Sequence, residues 1–134
     1  KQEIKLRGLN FKILINNKPS VVQKLYKKHD LFVLPSVNEP ASVSNLEAMS
    51  HGLAVITTDS NQTSCYTEPG ENGYVIKSND LEDLKKKLEI LINEKTKLKK
   101  FGYKSLNIVR KKYNPRLIYG KFSEKISNFK IGLS

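Results

Sequence analysis

DLFVLPSVNEPASVSNLEAMSHGLAVITTD, residues 30–59, is the stretch on which the fold turns. The run 31–34 is continuously apolar and closed by Pro35, as expected of a parallel strand buried on both faces. A loop holding Glu39 follows. Ser42 or Ser44 then caps a short helix carrying Leu46, Ala48 and Met49, with Gly52 as its C-terminal stop. Residues 53–58 form the next strand, rich in β-branched side chains toward its end. Strand, loop, helix, strand is the unit from which an open α/β sheet is built, and ligands of such sheets gather beyond the carboxyl ends of the strands. The N–H groups near Val43, Ser44 and Asn45 lie at the positive end of the helix dipole, where a phosphate or diphosphate fits. Glu39 precedes that end, and Glu47 lies roughly 6 Å along the helix axis from residue 43. Two carboxylates flanking a phosphate crevice point to a ligand that carries hydroxyls as well as phosphates.

Outward from this unit, residues 11–15 alternate weakly as a strand and end in the turn-prone segment 16–19. A helix capped by Ser20 runs to His29, with Val21, Val22, Leu25 and Tyr26 at helical spacing. Past a polar loop over 59–73, residues 74–76 form a short strand, and Asn79 with Glu82 reads as a capping box. The helix it opens carries Leu81, Leu84, Leu88, Leu91 and Ile92. A second helix bears Leu98, Phe101, Ser105 and Ile108, and a third, opened by Asn114 and Pro115, bears Ile118, Phe122, Ile126 and Phe129. The expected fold is α/β: a Rossmann-like parallel sheet of about four strands flanked by helices, with a helical C-terminal region. Residues 1–134 read as one domain, partial in that no opening strand and Gly-rich turn precede it, and 78–134 as a basic helical region within it.

The net charge of +11 is uneven: residues 1–80 hold 9 Lys/Arg against 8 Asp/Glu, residues 81–134 hold 15 against 5. The basic field therefore belongs to the C-terminal helices and attracts phosphate-rich polymers or an anionic membrane surface. No apolar run reaches the roughly 18 residues of a membrane span. One cysteine, Cys65, forms no internal disulfide, which fits a reducing compartment. Each candidate also has a plainer reading. Glu39 reads equally as an exposed loop carboxylate, Glu47 as the i,i+4 partner of His51, Ser42 and Ser44 as caps, and His29 and His51 as helix-terminal histidines.

Taken together, EPASVSNLEAMSHG resembles the glutamate–seven residues–glutamate motif of the family 4 (group 1) retaining glycosyltransferases, which have the two-domain GT-B fold. The order Leu34-Pro35-Ser36, Glu39-Pro40-Ala41-Ser42, Leu46-Glu47-Ala48-Met49 follows the family's pattern. The run 52–56 resembles its Gly-x-Pro-Val-Ile, and Glu71-Asn72-Gly73 its turn before the last strand. The resemblance covers most of residues 20–95 and implies the C-terminal, nucleotide-sugar-binding domain of such an enzyme. By resemblance, Glu39 is catalytic, binding donor-sugar hydroxyls near the reacting carbon. Pro40, Ala41, Ser42, Val43 and Ser44 bind the sugar and diphosphate, and Glu47 binds the ribose. The base lies near Ile15, Asn16 and Lys18. No metal or other cofactor is implied: the donor is a UDP- or GDP-type sugar, and a helix terminus with positive groups stabilises the leaving diphosphate.

Three departures stand out. Ala54 replaces the usual proline, Ser42 the second motif glycine, and the upstream Arg and Lys that neutralise the diphosphate have no counterpart here. An acceptor-binding N-terminal domain is likewise absent from the sequence. The expectation is a chain that binds donor weakly and transfers nothing alone, its full enzyme serving a glycan or lipid-linked acceptor. It is expected in the cytoplasm, peripheral at the membrane face, and prone to self-association through uncovered sheet edges. The alternative is a basic α/β module that binds nucleic acid or an anionic surface without catalysis. Nucleic acid is not the expected partner, since Tyr103, Tyr113 and Tyr119 sit among residues of core-facing helical period. A glycosidase using Glu39 and Glu47 as acid and base fits poorly with a phosphate-type crevice.

Overall fold

The structure, a computed structural model, describes residues 2–6, 9–38, 40, 42–60, 62–114 and 116, with the backbone alone at 2–6, 9–13 and 63. A parallel sheet is present, with β4 (Ala54–Thr58) at its centre between β3 (Leu31–Leu34) and β5 (Gly73–Ile76). The α/β reading therefore holds. Among the described residues the sheet has three strands rather than about four, because the first strand signal pairs elsewhere. β1 (Gln2–Leu6) and β2 (Leu9–Ile13) form a separate antiparallel hairpin in which Gln2 faces Ile13 and Leu6 faces Leu9.

Two helix starts differ from expectation. α1 (Pro19–Tyr26) is capped at Lys18 with Pro19 in its first position, where the fixed φ of proline suits a helix and its missing N–H costs nothing. It ends three residues before His29. α3 (Leu81–Asn93) is capped by Asp80, whose carboxylate accepts from Asp83 N at 2.8 Å. Asn79 instead takes a left-handed turn, φ 61°, that redirects the chain from β5. α2 (Val43–Ser50) stops as expected at Gly52, φ 79°. Gly52 N donates to Met49 O and Leu53 N to Ala48 O, the paired bonds of a Schellman stop. α4 (Lys95–Lys112) is the longest helix described. Asn114 Oδ1 accepts from Arg116 N at 3.0 Å, as its expected capping role requires; the helix expected over 118–129 lies outside the described residues.

β4 is buried along its whole length, whereas β3 is half-buried, so the strand covered on both faces is β4. Alternation along β4 divides the core. Ala54 and Ile56 pack with Ile76, Leu91 and Phe101, backed by Leu84 and Leu88 of α3. Val55 packs with Met49 of α2 and Ile108 of α4. α4 thus begins on one face of the sheet and ends on the other. It crosses at Gly102, where a Cβ would meet the carbonyl oxygen of Gly52 at 2.1 Å. Not all the periodic leucines of α3 reach the core: Leu81 at its start and Ile92 at its end are 72% and 63% exposed.

Candidate functional site at the carboxyl edge of the sheet

Polar bonds tie together the loops that leave β3, β4 and β5. Thr58 Oγ1 donates to the carbonyl of Ser36, joining the ends of β4 and β3. Asp59 accepts from Ser78 N at 2.9 Å and from Ser78 Oγ at 3.1 Å, and Ser78 also bonds Ser60 through their hydroxyls. Thr57 and Thr67 are hydrogen-bonded at 3.3 Å beneath this edge. The edge is therefore held together by side-chain hydrogen bonds.

α2 opens onto this edge. Ser42 is its N-cap by backbone conformation, φ −77° and ψ 118°, yet its side chain makes no capping bond. Its hydroxyl is 2.7 Å from that of Ser44 instead. Ser42 thus holds the N-cap position expected of it but not the capping bond: the two hydroxyls bond each other, and among the described residues no side chain is seen to cap the first-turn N–H groups. A first turn left this way retains its donors and its partial positive charge for an anion. Beside it lies an open crevice of about 300 Å³ lined by Asn38, Pro40, Ser60 and Gln62.

Of the expected site residues, Glu39 and Ala41 lie outside the described residues. Pro40 lines the crevice, Ser42 is buried, Val43 is 69% exposed, and Ser44 is half-buried. Glu47 is half-buried one turn into α2. Its expected i,i+4 partner does not take up its carboxylate: His51 Nδ1 lies 2.8 Å from the backbone carbonyl of Glu47, as a C-terminal histidine does. The Glu47 carboxylate lies instead beside the Tyr26 hydroxyl, which is 3.4 Å from the carbonyl of Ser44. Burial, and then the Glu47 charge, push the Tyr26 phenol above its ordinary range. Ile15, Asn16 and Lys18 follow the hairpin strand β2, outside the parallel sheet; Ile15 is 71% exposed and Asn16 has φ 53°.

Residues that the sequence reading passed over contribute here. Tyr26 joins α1 to the Glu47 side of α2 and stacks obliquely on His51, with ring centroids 5.4 Å apart. Asn38, Ser60 and Gln62 line the crevice, each carrying an uncharged hydrogen-bonding group. The available signal was position: all three lie within four residues after a strand end. Asn72, read as a turn residue, is fully buried. Its Oδ1 accepts from Glu68 N at 2.7 Å, and its Nδ2 lies 3.3 Å from Ser105 Oγ, locking the loop before β5 to α4.

The sequence profile of the family described as Glycosyl transferases group 1 matches residues 1–107, and the chain belongs to that family. It is 28% identical over 99 residues to the UDP-Gal:alpha-D-GlcNAc-diphosphoundecaprenol alpha-1,3-galactosyltransferase of Escherichia coli, covering 74% of this chain and 23% of that one. Two solved structures are similar. One is HepE of Anabaena in complex with UDP, with a TM-score of 0.73, 21% identity and coverage of 78% of this chain and 29% of that one. The other is the C-terminal domain of the group 1 glycosyl transferase LpcC of Francisella tularensis, with a TM-score of 0.71, 25% identity and coverage of 77% and 53%. The chain spans about a quarter of the length of the curated relatives it matches.

Proposed function

We propose that this chain provides the donor-binding side of a retaining glycosyltransferase, which moves a sugar from a nucleoside-diphosphate sugar to a glycan or lipid-linked acceptor. The observation that carries this reading is the start of α2. A helix without a side-chain cap bond opens on the carboxyl edge of the sheet, with a carboxylate one turn inside it. The diphosphate lies against the N–H groups of residues 42–44, where the helix dipole stabilises the charge that develops as the sugar leaves. Glu47 accepts from the ribose hydroxyls, held on that side by Tyr26. Glu39 and the backbone of Pro40 and Ala41 meet the sugar, and Ile15, Asn16 and Lys18 border the base. UDP is the proposed nucleotide, supported by the UDP and UDP-glucose complexes of HepE. The lipid-linked acceptor is supported by the name of the E. coli relative.

Isothermal titration of the chain with UDP and GDP tests this reading. UDP is expected to bind weakly, GDP more weakly still, and Glu47→Gln to lower UDP affinity roughly tenfold, the loss of one charge-assisted bond. Binding that is unchanged in Glu47→Gln would place the nucleotide elsewhere. Titration after exhaustive chelation is expected to give the same affinity, because the diphosphate is assigned to protein groups and not to a bridging cation.

A further inference from the structure

We infer that the outer face of α4 is a docking surface for an anionic phospholipid bilayer, with Tyr103 at its centre. The fold sorts the cations of this helix into two sets. Lys97 pairs with Glu94 at 2.7 Å, Lys104 with Glu71 at 3.2 Å and Glu68 at 3.6 Å, and Lys112 with Glu68 at 2.8 Å. Lys95, at the start of the helix, forms no ion pair among the described residues, and neither do the exposed Lys99, Lys100, Arg110 and Lys111. At 100° per residue, these four and Tyr103 fall within an arc of about 120°. That arc is centred opposite the buried residues Phe101, Gly102, Ser105 and Ile108. Tyr103 itself is 68% exposed.

A stripe of free cations around one exposed tyrosine suits the headgroup region of a bilayer. The cations attract anionic lipid, and the aromatic ring, apolar in body and polar at its tip, sits at the interface. The stripe is convex and carries a single aromatic, which favours a broad surface over a nucleic-acid strand. Strand binding needs successive rings in a charged groove. Docking here leaves the carboxyl edge of the sheet out of the contact, and it does not depend on the donor reading.

The experiment is co-sedimentation of the full chain, without nucleotide, with vesicles of phosphatidylglycerol mixed with phosphatidylcholine, and with phosphatidylcholine alone. Binding is expected to the anionic vesicles only and to fall as salt rises. Each charge neutralised at the contact is expected to weaken binding about fivefold. Lys99→Gln/Lys100→Gln/Arg110→Gln/Lys111→Gln therefore binds roughly six hundredfold more weakly. Lys97→Gln/Lys104→Gln/Lys112→Gln, the paired set, is expected to lose less than about fivefold. The chain has no tryptophan, so Tyr103→Trp supplies a single reporter whose emission shifts to the blue with anionic vesicles. Equal losses in the two charge variants would overturn the inference, as would an emission spectrum of the Tyr103→Trp variant that the vesicles leave unshifted. So would tighter binding to RNA or duplex DNA than to the vesicles at the same salt. Loss of UDP binding with vesicle binding intact would count against the donor reading alone.

Discussion

Gly102 shows how much a single position can require. Its motif-free setting in a lysine-rich helix gave no hint of constraint, because the requirement comes from a segment fifty residues away. A Cβ at Gly102 would overlap the Gly52 carbonyl, and neither backbone can yield without moving α4 off the sheet. Gly102→Ala is expected to destabilise the fold by about 3 kcal/mol in denaturant titration, at the upper end of overpacking costs. Gly70→Ala, where nothing lies within 4 Å but φ is +80°, should cost only the local backbone strain of about 1 kcal/mol. Equal costs at the two sites would deny the close approach. Asn72 carries the same lesson in polar form: an ordinary turn residue by sequence, it is buried because α4 closes over it and Ser105 meets its amide.

At the scale of elements, ion pairs connect α4 to the loop before β5. Glu68 accepts from Lys112 and is paired with Lys104, and the bond from Lys112 is the larger cause of its lowered pKa. A carboxyl held below its ordinary value of about 4.5 adds stability that is complete above that pH. The contribution is lost as pH falls through the lowered value in the folded state. The lysine partners, raised chiefly by bonds to Glu71 and Glu68, add theirs below the ordinary lysine value of about 10.5 and lose it as pH rises above that. Glu68→Gln is expected to flatten the fall in stability as pH drops below about 4.5, followed by thermal unfolding through the acid range. An unchanged acid slope would mean the pairs are fully screened, as exposed pairs often are. The elements themselves were largely legible. β4, α2 with its glycine stop, α3 and α4 follow from apolar period and stop residues. The caps of α1 and α3 were misplaced by one or two residues because Pro19 and Asp80 compete with equally plausible neighbours.

For the whole molecule, α4 matters more than its charge suggests. It fills both faces of the sheet, through Phe101 on one side and Ile108 on the other. A chain ended after residue 94 would uncover Ile56, Met49 and Val55 together. It is expected to lose cooperative thermal unfolding by circular dichroism, whereas a merely peripheral basic appendage would leave that transition intact. The candidate site was legible in part. Spacing within 30–59 put a helix start and Glu47 beside a strand end, since those relations are local and fixed by helix and strand geometry. Other features had no local trace: Ser42 bonding Ser44 instead of the backbone, Tyr26 beside Glu47, and Asn38 sharing a crevice with Gln62.

Sequence by itself determined the parallel strand–helix unit over 30–59, the segments that become α3 and α4, and the position of the start of α2 after a strand end, because each depends on neighbours a few residues apart. Tertiary structure alone decided the strand that lies at the centre, the pairing of Lys104 and Lys112 with the loop before β5, and the course of α4 across both faces. These depend on contacts between residues twenty to fifty positions apart, whose pairing no short-range period encodes.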